Sequence, residues 1–145
     1  MSKFARFLFP IRPDGASISL LLLALRVLFG LLLLAHGMQK WTHYADMVGS
    51  FPDPLGVGRS VSLGLAIFAE LGCSVGFIFG AFYRLVLIPM IFTMGIAFFH
   101  IHAADGFAMK ELAFVYMMVF IILYITGPGR FAVDWWIGRM LSKEK

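Results

Sequence analysis

Two charged residues of the sequence lie inside long apolar segments. Arg26 interrupts a run of apolar and small residues from Ser17 to Ala35, and Glu70 interrupts a second apolar run. A charge near the middle of a bilayer is costly and usually has a partner or a function. Each residue lies about ten positions into its segment, so antiparallel helices of similar length would bring both near the membrane midplane. We therefore predict that Arg26 and Glu70 pair, either to fix helix register or to handle protons or substrate.

Polar residues also gather where three apolar segments end or begin. They are His36, Gln39 and Lys40 after the first segment, His100 and His102 after the third, and Lys110 and Glu111 before the fourth. Imidazoles titrate near neutral pH, and beside a carboxylate they can transfer protons. They can also hydrogen-bond the carbonyl of a quinone. The alternative is that these side chains reach the membrane surface and bind lipid headgroups.

The residue types suggest separate roles within these two groups. In a catalytic site, His36 and Glu111 would exchange protons, and Lys40 would stabilise negative charge that develops on an oxygen atom. The remaining candidates, which would bind substrate, are Arg26, Glu70, Gln39 and His100.

Quinone is the one cofactor that the sequence suggests. His100 and His102 are about 200° apart around a helix, which disfavours a shared metal ion. No histidine lies clearly at the middle of a predicted span, where a haem ligand would be expected. The glycines form no phosphate-binding loop or dinucleotide fingerprint, so we predict neither nucleotide nor flavin binding. Cys73 is the only cysteine, which excludes an internal disulfide and a CxxC redox pair.

The composition indicates an integral membrane protein. The chain has 145 residues, of which 61% are hydrophobic and 14% charged, whereas soluble domains are about 45–50% apolar and about 25% charged. Four runs have membrane length, at about 17–40, 60–82, 85–102 and 111–126. We therefore predict an all-α fold in which four transmembrane helices form a bundle over 17–127. The net charge is +4, but the basic residues are spread over the membrane flanks, so we predict no nucleic-acid partner.

The two ends of the chain flank this bundle. Residues 1–16 form a basic, proline-containing segment that we expect at the membrane interface, and 128–145 form an amphipathic tail. Four spans place both ends on one side, and that side carries eight Lys and Arg residues against three on the other. By the positive-inside rule, both termini and the tail are predicted to be cytoplasmic, in a plasma (inner) membrane protein.

The order and spacing of these residues resemble the DoxX family. The matching residues, in order, are Arg26, His36-Gly37-x-x-Lys40, Glu70, Gly80-x-x-x-Arg84, Glu111, Gly127-Pro-Gly129-Arg130 and Asp134. The resemblance covers about residues 17–136 and implies a small four-helix membrane protein of bacteria or archaea. It also implies an association with quinone-linked complexes, including thiosulfate:quinone oxidoreductase, or with oxidative-stress defence, although most members have no assigned activity.

Three functions are consistent with these residues. The first is a subunit or accessory of a quinone-linked oxidoreductase system, which would receive electrons from a redox partner protein or a diffusible donor. The second is a non-catalytic assembly protein that binds partners through its small-residue helix faces and its tail. The third is a small-solute carrier in which Arg26 and Glu70 line a path, and which would require a homo-oligomer. In each case the lipid bilayer is the surrounding partner.

Overall fold

The computed structural model describes residues 4, 8 and 15–143. Over residues 15–143 the chain forms α1 (Ala16–Thr42), α2 (Tyr44–Met47), α3 (Arg59–Phe79), α4 (Tyr83–Ile101), α5 (Phe107–Thr126) and α6 (Val133–Lys143). Most of the predicted interfacial segment 1–16 lies outside the described residues, as do the last two residues of the predicted tail.

Four of these helices are long and apolar enough to cross a membrane, namely α1, α3, α4 and α5. The predicted all-helical, four-span architecture is therefore confirmed. With 27 residues, α1 is about 40 Å long and exceeds a hydrocarbon core of about 30 Å. α5 begins at Phe107, earlier than the predicted start at 111, because Gly106 is the last residue with an extended backbone. Glu111 therefore lies one turn inside the helix.

The spanning helices pack in sequence around an apolar core. α1 packs on α3, α3 on α4, and α4 on α5. An edge-to-face contact between Phe29 of α1 and Tyr116 of α5, whose ring centroids are 5.9 Å apart, closes the ring of helices. The buried core residues are Leu22, Leu33, Cys73, Phe77, Tyr83, Leu87, Met90, Met94, Tyr116, Met117, Phe120 and Leu123. Large apolar side chains also cover the outside of the bundle, as expected for helices surrounded by lipid.

The two ends of the bundle are built differently. One end, here called the loop end, carries the long connection 43–58 and the short connection 102–106. The other, here called the turn end, carries the tight α3–α4 turn at 80–82 and the segment 127–132 that follows α5. Gly80 and Phe82 both have positive φ, at 67° and 47°, which lets the chain reverse within three residues.

Two glycines fix how α1 lies along α3. A Cβ atom on Gly37 would lie 2.5 Å from the backbone nitrogen of Leu71 and 2.7 Å from the carbonyl carbon of Glu70. A Cβ atom on Gly30 would lie 2.3 Å from Cγ1 of Ile78. Only glycine permits such an approach, which is a common way for membrane helices to pack closely. Gly37 is therefore level with Glu70, and Gly30 with Ile78.

α3 and α4 each contain a π-helical turn, at Phe68–Gly72 and Ala97–Ile101. A π turn inserts extra backbone into a helix, so the side chains after it point in a different direction from those of a regular helix. Such turns are frequent at functional sites. The π turn of α3 contains Glu70, one of the two membrane charges singled out in the sequence.

Replacing Gly37 with alanine should destabilise the bundle, because the new Cβ atom would meet backbone atoms of α3 that cannot rotate away. We expect Gly37→Ala to lower the free energy of unfolding by about 1–3 kcal/mol. The measurement is the thermal midpoint of the purified protein in detergent. The matched control is Gly64→Ala on α3, where a Cβ would meet nothing within 4 Å and alanine favours the helix. Equal effects of the two substitutions would contradict this close approach.

Candidate functional site

A cavity of about 430 Å³ lies between α3 and α4, on the side of the loop end. The long connection covers it with residues from 51–55. The lining residues are Lys40, Phe51, Pro52, Pro54, Leu55, Ser62, Leu65, Ala66, Phe68, Ala69, Glu70, Pro89, Phe92, Thr93, Ile96, Ala97, Ile101 and His102. Both π turns contribute to the wall. The cavity is therefore a largely apolar chamber with a few polar groups, which is typical of sites for small organic ligands.

Lys40 and Glu70 form an ion pair in the wall of this cavity. The distance from Lys40 Nζ to Glu70 Oε2 is 2.6 Å, and the two side chains are 21% and 6% exposed. They meet because Gly37 brings the backbones together at this level and Lys40 follows three residues later, on the same face of α1. Each charge compensates the other in a region where an unpaired charge would be costly.

The predicted pairing of Arg26 with Glu70 is wrong. That prediction counted each residue from the start of its own segment. The glycine contacts instead place Gly37 level with Glu70, and Gly37 is about 16 Å along α1 from Arg26 at 1.5 Å per residue. Because α1 is longer than α3 and the two are staggered, Arg26 lies at the turn end of the bundle.

At the turn end, Arg26 donates hydrogen bonds to three backbone carbonyl oxygens. Nη1 lies 2.6 Å from Pro128 O, and Nη2 lies 2.7 Å from Phe131 O and 3.2 Å from Ile78 O. The residue is 1% exposed. Carbonyl dipoles and the nearby carboxylate of Asp134 thus compensate its charge, and the guanidinium ties the segment after α5 to both α1 and α3.

Asp134 completes the turn end by capping α4. Its carboxylate accepts hydrogen bonds from the backbone N–H groups of Phe82 and Tyr83, at 2.8 Å and 2.7 Å. The backbone N–H of Asp134 in turn donates to Gly80 O at 3.0 Å. A carboxylate at this position satisfies amide groups that begin a helix. Burial raises the pKa of Asp134, and the two N–H bonds oppose that shift.

The other predicted site residues do not converge on the Lys40–Glu70 pair. Gln39, His100 and Glu111 are exposed and are not among the residues that line the cavity. His36 is half-buried, with its ring edge-to-face against Tyr116 at a centroid distance of 6.2 Å. Of the seven predicted residues, Lys40 and Glu70 are the two that face the cavity.

Two residues outside that set bear on the cavity, one by folding the loop that covers it and one by lining it. Asp53 folds the covering loop, because its carboxylate accepts hydrogen bonds from the backbone N–H of Val57 and Gly58 and from Ser62 Oγ, at 3.1, 2.8 and 2.7 Å. The bond from Ser62, followed by that from Gly58, lowers the pKa of Asp53. His102 lines the cavity, and its Nδ1 lies 2.7 Å from Asp105 Oδ2.

Comparison with known proteins identifies the family of this chain. The DoxX family model matches residues 21–103, more than half of the chain. The chain belongs to the DoxX family. It is also similar to the inner membrane protein YqjF of Escherichia coli K12, with 32% identity over 128 residues that cover 84% of this chain and 92% of that protein. An uncharacterized protein of Haemophilus influenzae is 25% identical over 128 residues, 83% of each chain. No solved structure gives a significant match.

The part of the chain that matches the DoxX model contains the whole cavity. Every lining residue, from Lys40 to His102, falls inside 21–103. Arg26 also lies in the matched region, whereas Pro128 and Phe131, which accept its hydrogen bonds, lie beyond it. The DoxX-matched segment thus comprises α1 to α4 with the cavity, and the remaining residues close the bundle.

Removing the charge of Arg26 should release the segment that follows α5. In Arg26→Gln, three carbonyl groups lose a charged donor, so we expect the free energy of unfolding to fall by about 3 kcal/mol. Trypsin should then cleave faster after Arg130, which is exposed; mass spectrometry identifies the cut. Arg59→Gln, the same chemical change at an exposed position, serves as the control. Unchanged cleavage at Arg130 in Arg26→Gln would contradict this role.

Proposed function

We propose that this DoxX-family protein binds the headgroup of a membrane quinone in the cavity between α3 and α4. On this proposal it works as a subunit of, or an accessory to, a quinone-linked oxidoreductase system. The observation that carries the proposal is a Lys–Glu ion pair, with side chains 21% and 6% exposed, in the wall of a largely apolar cavity of about 430 Å³. Ligand sites of this kind combine apolar walls with a few placed polar groups.

The position of the cavity supports a ligand that arrives from the lipid phase. Leu65, Phe68 and Phe92 line it and are 49%, 59% and 54% exposed, and they belong to the spanning helices α3 and α4. An opening between these two helices would face acyl chains. A quinone ring would enter there, and its isoprenoid tail would remain in the bilayer.

The ion pair supplies the polar chemistry that a quinone headgroup requires. The Lys40 ammonium has three N–H donors, of which Glu70 engages one at 2.6 Å, so the others remain for a quinone carbonyl. A cation beside that oxygen stabilises negative charge that develops on reduction. Glu70 can accept or return a proton. No Cys, Tyr or Trp is among the lining residues of the described chain, so the electron donor is assigned to a partner or a diffusible reductant.

A second candidate is a partner-binding role, which the outward face of α3 favours. Gly64 and Gly72 are both exposed, and a Cβ on Gly64 would meet nothing within 4 Å. Small residues on a lipid-facing surface permit close approach of another helix, from a redox partner or a second copy of the chain.

The small-solute carrier hypothesis required Arg26 and Glu70 to line one path. It is not proposed, because the two residues lie at different levels of the bundle.

Binding of decylubiquinone should require Lys40. The test uses full-length protein in nanodiscs with Trp135 and Trp136 changed to Phe, which leaves Trp41, next to Lys40, as the reporter. We expect decylubiquinone to quench Trp41 fluorescence saturably, and Lys40→Met to weaken binding by at least about tenfold, the value of one charge-assisted hydrogen bond. Lys110→Met, at the same end but outside the cavity, should bind as the parent does.

A double substitution separates binding from stability. Lys40→Met alone leaves the Glu70 carboxylate buried without its cation, so it should lower the free energy of unfolding by about 3–5 kcal/mol. Lys40→Met with Glu70→Met removes both charges and should regain most of that loss without regaining quinone binding. If the double variant binds decylubiquinone as tightly as the parent, the ion pair has a structural role and the proposal fails.

We also propose that the protein lies in the inner membrane with both termini in the cytoplasm. The distribution of Lys and Arg supports this orientation, and the Escherichia coli relative is named as an inner membrane protein. In a Cys73→Ser background, Ala104→Cys at the loop end should react with an impermeant maleimide in intact spheroplasts. Ser142→Cys should react only after lysis. The reverse labelling pattern would invert the orientation.

A further inference from the structure

The connection after α4 carries a second titratable group of the cavity, which the proposed function does not use. We infer that His102, held by Asp105, accepts the proton of a hydroquinone hydroxyl bound in this cavity, and that the site therefore binds the reduced form of its ligand as well as the quinone. This inference rests on the proposed quinone site and adds to it the residue that exchanges protons with the aqueous phase.

The π turn at the end of α4 places His102, and not His100, at the cavity. The backbone N–H of His102 donates to Ala97 O at 3.0 Å, five residues back, which closes that turn. His102 lines the cavity, whereas His100 is exposed and outside the lining. The two histidines share one helix end but face different surroundings, which makes His100 a matched control for His102.

Asp105 determines which nitrogen of His102 remains for a ligand. Its Oδ2 lies 2.7 Å from His102 Nδ1, so in the neutral ring Nδ1 carries the hydrogen and donates it to the carboxylate. Nε2 is then the acceptor. The Asp105 carboxylate also compensates the positive charge that the ring gains when Nε2 takes a proton, as in other His–carboxylate pairs.

The cavity thus offers a donor and an acceptor to one ligand. Lys40 lines the cavity from α1 and has N–H groups beyond the one that Glu70 engages, and His102 lines it just after α4, with Nε2 as the ring nitrogen that Asp105 does not engage. A hydroquinone has two hydroxyl groups, so one oxygen can accept from Lys40 while the other hydroxyl donates to His102. When the O–H bond at His102 breaks, the proton moves to Nε2 and the electron pair stays on the ring oxygen as a phenolate. This step needs no oxidant, because it transfers a proton alone.

The exposure of the residues gives the proton a route away from the membrane. The side chains of His102 and Asp105 are 34% and 45% exposed, whereas that of Glu70 is 6% exposed. The charged groups around His102 are Asp105 on its own connection, Lys40 and Glu70 across the cavity, and Lys110 of α5, whose amine donates to Ala103 O at 3.3 Å. His102 and Asp105 are therefore the more exposed of these polar groups, and a proton on His102 can pass to water at the loop end.

The test compares two probes of the same size, trimethylhydroquinone and trimethylbenzoquinone. Their dissociation constants are measured by calorimetry on full-length protein in nanodiscs, without oxygen, at pH 7.5. We expect His102→Gln to weaken hydroquinone binding about tenfold at pH 7.5, the value of one buried hydrogen bond, and to change quinone binding by less than about twofold. The unchanged quinone affinity in the same preparation shows that the variant is folded. His100→Gln should match the wild type with both probes.

Two results would overturn this inference and leave the proposed quinone site standing. One is an equal loss of affinity for both probes in His102→Gln, which would assign His102 a structural role. The other is hydroquinone binding that is insensitive to His102 while quinone binding still depends on Lys40. If the wild type binds neither probe and decylubiquinone does not bind, the quinone site itself is wrong and the inference falls with it.

Discussion

At Gly37 the backbone of α1 lies against that of α3 with no room for a side chain, and the polar groups of the bundle are arranged around this contact. It sets Lys40 beside Glu70. It also sets Arg26, which lies one helix turn before Gly30, at the tight turn between α3 and α4. A shift of one turn along the helix axis, about 5.4 Å, would separate the ion pair and leave two charges in the membrane without partners. The cost of such a shift makes the stagger of the two helices a defined property of the fold.

The two charged regions compensate their charges in different ways, and this decides which of them can take a ligand. Arg26 gives hydrogen bonds to three carbonyl oxygens and is 1% exposed. Its acceptors belong to the backbone and cannot be exchanged without opening the fold. Lys40 gives one hydrogen bond to one carboxylate beside a largely apolar cavity, so a ligand can accept from its other N–H groups without breaking the ion pair. The turn end therefore closes the bundle, and the cavity is the place where the proposed ligand would bind.

The number of spanning helices could be predicted from the sequence because apolar runs of about 20 residues have few alternatives to membrane helices. The hydrogen-bond acceptors of Arg26 could not be predicted, because every residue has a backbone carbonyl and the sequence does not indicate which of them lie near the guanidinium. The pairing of Glu70 depended on helix stagger, which follows from the glycine contacts and not from distances to the segment ends. The orientation of His102 depended on a π turn at Ala97–Ile101, and a regular helical wheel does not describe such a turn. Asp53 had a readable signal, since an aspartate between two prolines before a helix often binds nearby backbone N–H groups.

The hydrogen bonds of Arg26 also bear on how the protein is made. Pro128 and Phe131 follow Arg26 by 102 and 105 residues. The first helix is therefore synthesised, and reaches the translocon, long before two of its three acceptors exist. Until Pro128 and Phe131 have been synthesised, α1 carries a cation that lipid disfavours. The segment 127–132 thus supplies two of the three acceptors of Arg26, which ties stable insertion of α1 to the synthesis of a segment more than 100 residues later.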